Sequence, residues 1–376
     1  PENAMLRVEH IEVLRKRQKI EKAHKSAASL LDEFPKNIHY ASLFAVLCMQ
    51  KGDYDSALKN FDNVLAKIPS DPVTQTSKGH ALKTLGKTGA AIDAYRSATR
   101  NSLGFGEAWH SLANLKTFSF AEDDIKNMRD QLVSADLKHT DRIYMNFALG
   151  KALEDRKDFG EAFKHYAAGN KAKKLQSRYK PEQITAEFNR QKAIFKGELL
   201  SKCKFSGFES SDPIFVLGLP RAGSTLLEQI LSSHTLIDGT LELPNILSLV
   251  NSFRRDGRLT GEDRYPRILE ELTADNFRSF GEAYINDTKI HREDAPFFVD
   301  KMPNNFRFIG LIATAIPEAK IIHVKRNSAA TCWGVFKQCF TSESNSFSYS
   351  LDDTVESKRR AFWSFRDACC CEIGIV

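Results

Sequence analysis

The chain lacks the features that would place it in a membrane, in a disulfide framework or around a metal. Its longest apolar stretch, Tyr40 to Met49, falls well short of the roughly 20 residues a membrane helix needs, so no membrane span is expected. The first ten residues are charged and carry no apolar core, and no secretory leader is expected from them. Seven cysteines, at 48, 203, 332, 339 and 369–371, are odd in number and include no CxxC pair. That usage fits a reducing compartment, and a cytoplasmic location is expected. The run Cys369–Cys370–Cys371 has no second ligand cluster to complete a metal site, and no HExxH motif occurs, so no metal is expected. Neither sign of charge dominates: 54 Lys+Arg against 48 Asp+Glu give a net charge of +6, too mild to imply nucleic acid.

What is present is ordinary globular composition, 42% hydrophobic and 27% charged, over 376 residues, a length that predicts two or three domains. The positive excess is confined to the first 200 residues, with 33 Lys+Arg and 25 Asp+Glu, and is densest at Lys171–Lys180. Such a segment is either a solvated helix face or a docking surface for an acidic partner.

The first half repeats. Pro35 and Pro69, Gly52 and Gly86, Ala57 and Ala91, and Phe61 and Tyr95 are each 34 residues apart. Trp109 lies one period beyond Gln75, and a further unit runs Leu149, Gly150, Leu153, Phe159, Ala162, Tyr166. Small residues at Ala57, Ala91 and Ala162 allow two antiparallel helices to approach closely. The rings at Phe61, Tyr95 and Tyr166 fill the gap one turn later, and proline closes the second helix. One such pair cannot bury its apolar face alone, so it stacks on its neighbours. These residues resemble the tetratricopeptide repeat (TPR). Two good repeats, flanked by weaker ones at about 5–36 and 106–170, give a TPR-type α-solenoid over residues 1–170. The resemblance implies a concave face that binds protein or peptide.

Residues 171–205 read as a charged helical connector, and Ser206–Pro213 as a linker into a domain over 206–376 of different composition. There the apolar run Ile214–Leu217 has the pattern of a buried strand. It enters Gly218-Leu219-Pro220-Arg221-Ala222-Gly223-Ser224-Thr225, after which Leu226–Leu231 reads as a helix. Strand, glycine loop and helix N-terminus together make an anion site. The spacing nearly matches the nucleoside-triphosphate P-loop, but Ser224 stands where that loop carries lysine. The cation is Arg221, inside the loop, placed to clasp a shorter anionic group.

Pro220 to Leu227 resembles the 5′-phosphosulfate loop of sulfotransferases. Ser233-His234, Gly239 and Glu242-Leu243-Pro244 resemble the next block of bacterial sulfotransferases that carry N-terminal tetratricopeptide repeats. Asp300-Lys301-Met302-Pro303-Asn304-Asn305-Phe306 and Ile321–Arg326 resemble their two further blocks. Animal tyrosylprotein sulfotransferases share the pattern more distantly. The resemblance implies an α/β domain with a central parallel sheet that uses 3′-phosphoadenosine 5′-phosphosulfate (PAPS) and releases adenosine 3′,5′-bisphosphate.

It also implies roles for particular residues. Arg221, Ala222, Gly223, Ser224 and Thr225 would hold the phosphosulfate, with Arg221 also catalytic, and Arg326 would hold the 3′-phosphate. Glu242 would be the base and Lys301 the donor to the leaving oxygen. His234 is either a second base or a helix-end residue, and Lys301 either serves the site or pairs with Asp300 at the surface. The acceptor is a hydroxyl, with peptide tyrosine, carbohydrate and lipid all compatible.

Two departures stand out. Gly334 occupies the position, eight residues after Arg326, where the family has a serine on the 3′-phosphate. The resemblance also fades after about Val355, whereas family members continue through another strand and a basic loop, so the domain reads as C-terminally incomplete or altered. A TPR scaffold with a degenerate domain is the main alternative. An ATPase or kinase reading can cite Phe298-Val299-Asp300 as a Walker-B-like strand, but the chain lacks that motif's lysine.

Overall fold

The computed structural model describes residues 3–17, 19–115, 117–196, 207–255, 264–341 and 343–369. Cys203, Ser206 and residues 370–376, with Cys370 and Cys371, lie outside the described ones. The chain forms two compact units, Pro1–Lys173 and Lys174–Val376.

The first unit is built from helical hairpins: α1 (Ala4–Lys16) with α2 (Ile20–Glu33), α3 (Ile38–Lys51) with α4 (Tyr54–Lys67), and α5 (Pro72–Thr84) with α6 (Thr88–Asn101). Then come α7 (Gly106–Ala113), α8 (Glu122–Val133), α9 (His139–Asp155) and α10 (Phe159–Lys174). The odd helices α1 to α7 start 34 residues apart, and so do the even helices α2 to α8. Four of the starts of α1 to α8 are fixed by N-cap side chains, since Asn3, Asn37, Asp53 and Asp71 accept from backbone N–H groups of α1, α3, α4 and α5.

Packing explains the repeated residue types. Ala57, Ala91, Ala162 and Phe61 are fully buried, and Tyr95 and Tyr166 are 1% exposed. Each ring lies 16 residues after a small residue of the preceding helix: Ala45, Gly79 and Gly150. A Cβ added at Gly79 would overlap the Tyr95 ring, and one at Gly150 would come within 2.9 Å of Tyr166. The period extends to polar contacts. Gln75 Nε2 donates to the Pro69 carbonyl, and one repeat later Trp109 Nε1 donates to the Leu103 carbonyl.

One detail differs from the sequence expectation: the stretch over 5–36, expected to be a weak repeat, keeps the full period. The other stretch expected to be weak, 106–170, is irregular: α7 ends at Ala113, and α9 rather than α8 packs along it. Leu115, Phe118 and Phe120 fill the core from a non-helical segment, with Phe118 and Phe120 edge to face at 4.9 Å.

The second unit opens with α11 (Pro181–Lys196) and contains a four-stranded parallel sheet of order β2-β3-β1-β4. The strands are β1 (Pro213–Gly218), β2 (Ile237–Gly239), β3 (Phe297–Asp300) and β4 (Lys320–Val324). Between and after them lie α12 (Ser224–Ser232), α13 (Asn245–Arg255), α14 (Ala274–Asp287), α15 (Ile309–Ala315), α16 (Ser328–Phe336) and α17 (Leu351–Cys369). Central β1 is buried along its whole length, as a parallel strand covered on both faces must be. Phe215 and Leu217 join the main core with Phe277 and Tyr284 of α14, while Ile214 and Val216 face Leu227 and Leu231 of α12. That alternation is why the run Ile214–Leu217 is apolar throughout.

The order places β2 and β3 on one side of β1 and β4 on the other. Open parallel sheets bind ligands at the carboxyl ends of the strands, where the direction of winding reverses.

Candidate active site

The loop leaving β1 is shaped by three residues with positive φ: Gly218 at 143°, Arg221 at 67° and Gly223 at 110°. A Cβ on Gly218 would lie 2.7 Å from the Val324 carbonyl, so only glycine lets the strand end lie against β4. Gly223 caps α12 and offers no side-chain acceptor. The first N–H groups of a helix have no intrahelical partner, so those of Ser224 and Thr225 are available to an anion. Ala222 is different, because its N–H donates within the turn to the Leu219 carbonyl at 3.3 Å. Ser224 is buried, whereas Arg221 and Thr225 are exposed.

The carboxyl ends of the other strands bring the remaining candidates to the same edge of the sheet. Gly239 is paired with Val299 and Gly218 with Val324, so Glu242, Lys301 and Arg326 all follow strand ends beside the loop. Arg326 Nη1 donates to the Arg221 carbonyl at 3.4 Å. Thr240 fastens the segment before Glu242, its hydroxyl donating to the Val299 carbonyl at 2.6 Å.

Lys301 is 8% exposed and donates to Glu242 Oε1 at 2.8 Å. It does not pair with Asp300. That carboxylate is fully buried and accepts from the Tyr284 hydroxyl at 2.8 Å. Burial pushes Asp300 up to about 7, against the opposing pull of the Tyr284 hydrogen bond. A Walker-B role would require this carboxylate at the loop, and it lies in the core instead.

A residue that sequence reasoning missed completes the cluster. Glu228 Oε2 lies 3.8 Å from Lys301 Nζ, and its side chain is 13% exposed, against 55% for Glu242. Burial raises the Glu228 pKa above its ordinary value, with Lys301 opposing and Glu242 adding to the shift. One signal was available: Glu228 follows Ser224 by four residues, which sets both on one face of α12. His234 sits in the turn after α12, where its Nδ1 accepts from the Leu236 N–H at 3.2 Å, a helix-end arrangement.

On the β4 side of the loop is a cavity of about 400 Å³, bounded by Leu219, Ala222, Val324, Arg326, Thr331 and Lys358 among others. Its size lies within the range of small-molecule sites. Among the described residues, no carboxylate lies within ion-pair reach of Arg221, Arg326 or Lys358. An anionic ligand fits this donor set. The described residues include no group of three His, Cys, Asp or Glu side chains able to hold a metal ion, and no helix long and apolar enough to cross a membrane.

Comparison with known proteins bears on the second unit. Residues 213–369 match the Sulfotransferase family, a span that takes in all four strand ends and continues beyond Val355, where the motifs alone had faded. A protein of Aquifex aeolicus (strain VF5), described as uncharacterized, is 30% identical over 240 residues, covering 63% of this chain and 32% of that protein. The chain therefore spans about a third of the length of this relative. Among solved structures, MamA 41-end from Desulfovibrio magneticus RS-1 aligns at 18% identity and TM-score 0.35, over 47% of this chain and 98% of its own. A MamA RS-1 ArsTM double mutant aligns at 16% and 0.33, over 48% and 99%.

Proposed function

We propose that the second unit is a sulfotransferase domain that moves a sulfuryl group from PAPS to a hydroxyl acceptor. The observation that carries this reading is the joining of Lys301 to Glu242 at 2.8 Å beside a loop that presents Arg221 and uncapped helix N–H groups. The family match over residues 213–369 supports the same chemistry.

The nucleotide, when bound, supplies the activated sulfuryl group. Arg221, the N–H groups at the start of α12 and the hydroxyls of Ser224 and Thr225 would hold its phosphosulfate end, and Arg326 its 3′-phosphate. Guanidinium suits such bidentate contacts. Glu242, the more exposed partner of Lys301, is placed to take the proton of the acceptor hydroxyl as its oxygen bonds to sulfur. A positioned carboxylate contributes roughly 10²–10⁴-fold to such a step. Once Glu242 turns to the acceptor, Lys301 can give an N–H to the oxygen that leaves sulfur, where charge accumulates. Glu228 stays beside the ammonium and balances it throughout.

The hairpin unit, by its resemblance to tetratricopeptide repeats, is assigned a protein or peptide docking role, and the basic segment Lys171–Lys180 at its end favours an acidic partner. The buried thiols of Cys48, Cys332 and Cys339 favour a reducing, cytoplasmic location.

Calorimetric melting with nucleotides tests the reading. Adenosine 3′,5′-bisphosphate should raise the melting temperature more than ATP, because only the former offers a 3′-phosphate to Arg326. Equal or greater stabilisation by ATP would discard the assignment, and no shift with either would favour a scaffold. Glu242→Gln should reduce sulfuryl transfer by at least about 100-fold with bisphosphate affinity kept within threefold. Retained turnover removes Glu242 from the role.

A further inference from the structure

We propose that Lys358 is a second cation for the 3′-phosphate of the nucleotide, acting beside Arg326 in the cavity between β4, α16 and α17 and replacing the serine hydroxyl absent at Gly334. The inference rests on the nucleotide reading above and adds a residue from an element outside the four motif blocks.

The geometry of Lys358 is that of a held but unneutralised charge. Its ammonium donates to the Arg326 carbonyl at 2.9 Å and to the Thr331 hydroxyl at 3.2 Å. Both acceptors are neutral. An ammonium has three N–H donors, so these two contacts fix its position and leave one donor unspent. The neighbouring cations on α17 are treated differently: Arg359 and Arg360 each reach Glu356 at 3.5 Å. Lys358 has no such carboxylate among the described residues and lines the cavity together with Arg326.

Burial pushes the lysine pKa below its ordinary value, and Lys325 adds to the shift while the Cys332 thiol opposes it. Half-burying an ammonium near a second cation, Lys325, is unfavourable in isolation. It becomes favourable when a doubly charged group enters the cavity that Lys358 and Arg326 both line, as a phosphate monoester does.

Gly334 explains why another donor is needed. It lies against Arg221, and a Cβ built there would stand 3.4 Å from the Arg221 Cβ. As glycine it presents no hydroxyl. Lys358 reaches the cavity from α17, anchored on the carbonyl of Arg326 itself.

Isothermal titration of the full chain with adenosine 3′,5′-bisphosphate and with adenosine 5′-phosphate tests the proposal. The wild type should bind the bisphosphate at least tenfold more tightly. Lys358→Met should weaken the bisphosphate about 10- to 100-fold, the range for a hydrogen bond to a charged group, and leave the 5′-phosphate within twofold. Lys358→Arg should keep most of the preference. A Met variant that still prefers the bisphosphate as the wild type does overturns the role of Lys358 but not the nucleotide reading. Equal weakening of both nucleotides marks a general folding effect and also overturns it. A wild type that does not distinguish the two nucleotides overturns both.

Discussion

Helices α3, α4 and α5 of the hairpin unit begin under Asn37, Asp53 and Asp71, whose side-chain oxygens take up the first backbone donors. Helix α12 of the second unit begins under Gly223, which has no side chain to do so. The same contrast holds for charge. In the hairpin unit Lys78 pairs with Asp62 at 2.6 Å, Arg96 with Asp124 at 3.4 Å, and Arg156 with Glu122. At the β1 loop and its cavity, Arg221, Arg326 and Lys358 have no carboxylate among the described residues. Each exposed pair contributes under about 1 kcal/mol, so the pairs matter less for stability than for what they leave over. These helix starts and cations of the hairpin unit are satisfied by its own side chains, whereas the β1 loop and its cavity leave helix N–H groups and cations without a carboxylate partner among the described residues.

Three substitutions sharpen that comparison, beginning with the largest expected effect. Asp300 is a fully buried carboxylate whose charge the fold resists. Its folded value of about 7 exceeds the ordinary roughly 3.9, so the folded chain binds this proton more tightly than the unfolded chain. The stability it contributes is fully present below about pH 4 and is lost as the pH rises through about 7. Asp300→Asn keeps an oxygen for the Tyr284 hydroxyl and removes the loss. The variant should be more stable than the wild type at pH 8, by up to about 4 kcal/mol, and match it near pH 4. Parallel stability curves from pH 4 to 8 would refute the buried-carboxylate account.

Gly79→Leu probes the other unit. Its side chain must displace the buried Tyr95 ring, and such overpacking costs about 3 kcal/mol. Urea unfolding should show the loss, while bisphosphate affinity stays within twofold. A variant as stable as the wild type would mean that ring and helix are not in tight contact.

The smallest effect is expected from Gly334→Ser. The added Cβ meets Arg221 at ordinary contact distance, and serine is about 0.5 kcal/mol better than glycine inside a helix. The new hydroxyl should tighten bisphosphate binding about three- to tenfold. Unchanged affinity would show that this helix face does not reach the 3′-phosphate.

Much of this was legible in the sequence because the relevant signals are local. The 34-residue period survives translation into helix starts, since each hairpin repeats the same small-residue and ring contacts. The strand–loop–helix around Arg221 was readable for the same reason, as were the strand ends that carry Glu242, Lys301 and Arg326. Glu228 was missed because its relation to Lys301 is tertiary: nothing in the order of residues says that α12 will lie over the end of β3. Lys358 was missed similarly, on a helix whose only sequence signature is its charge. The break after Ala113 escaped because Leu115, Phe118 and Phe120 are as apolar as a helix face, and only packing shows that they fill the core without one.

Arg221 holds its guanidinium at the site by way of a backbone conformation, φ 67°, that L-residues with a Cβ avoid. The penalty is about 1 kcal/mol, and glycine would escape it. Judged by folding alone, position 221 is a poor place for any residue with a side chain. An ancestry that had stopped using the turn would find glycine there the easy exchange, with a sturdier protein as the result. The arginine thus carries a cost in folding that a negatively charged group bound at the turn would offset.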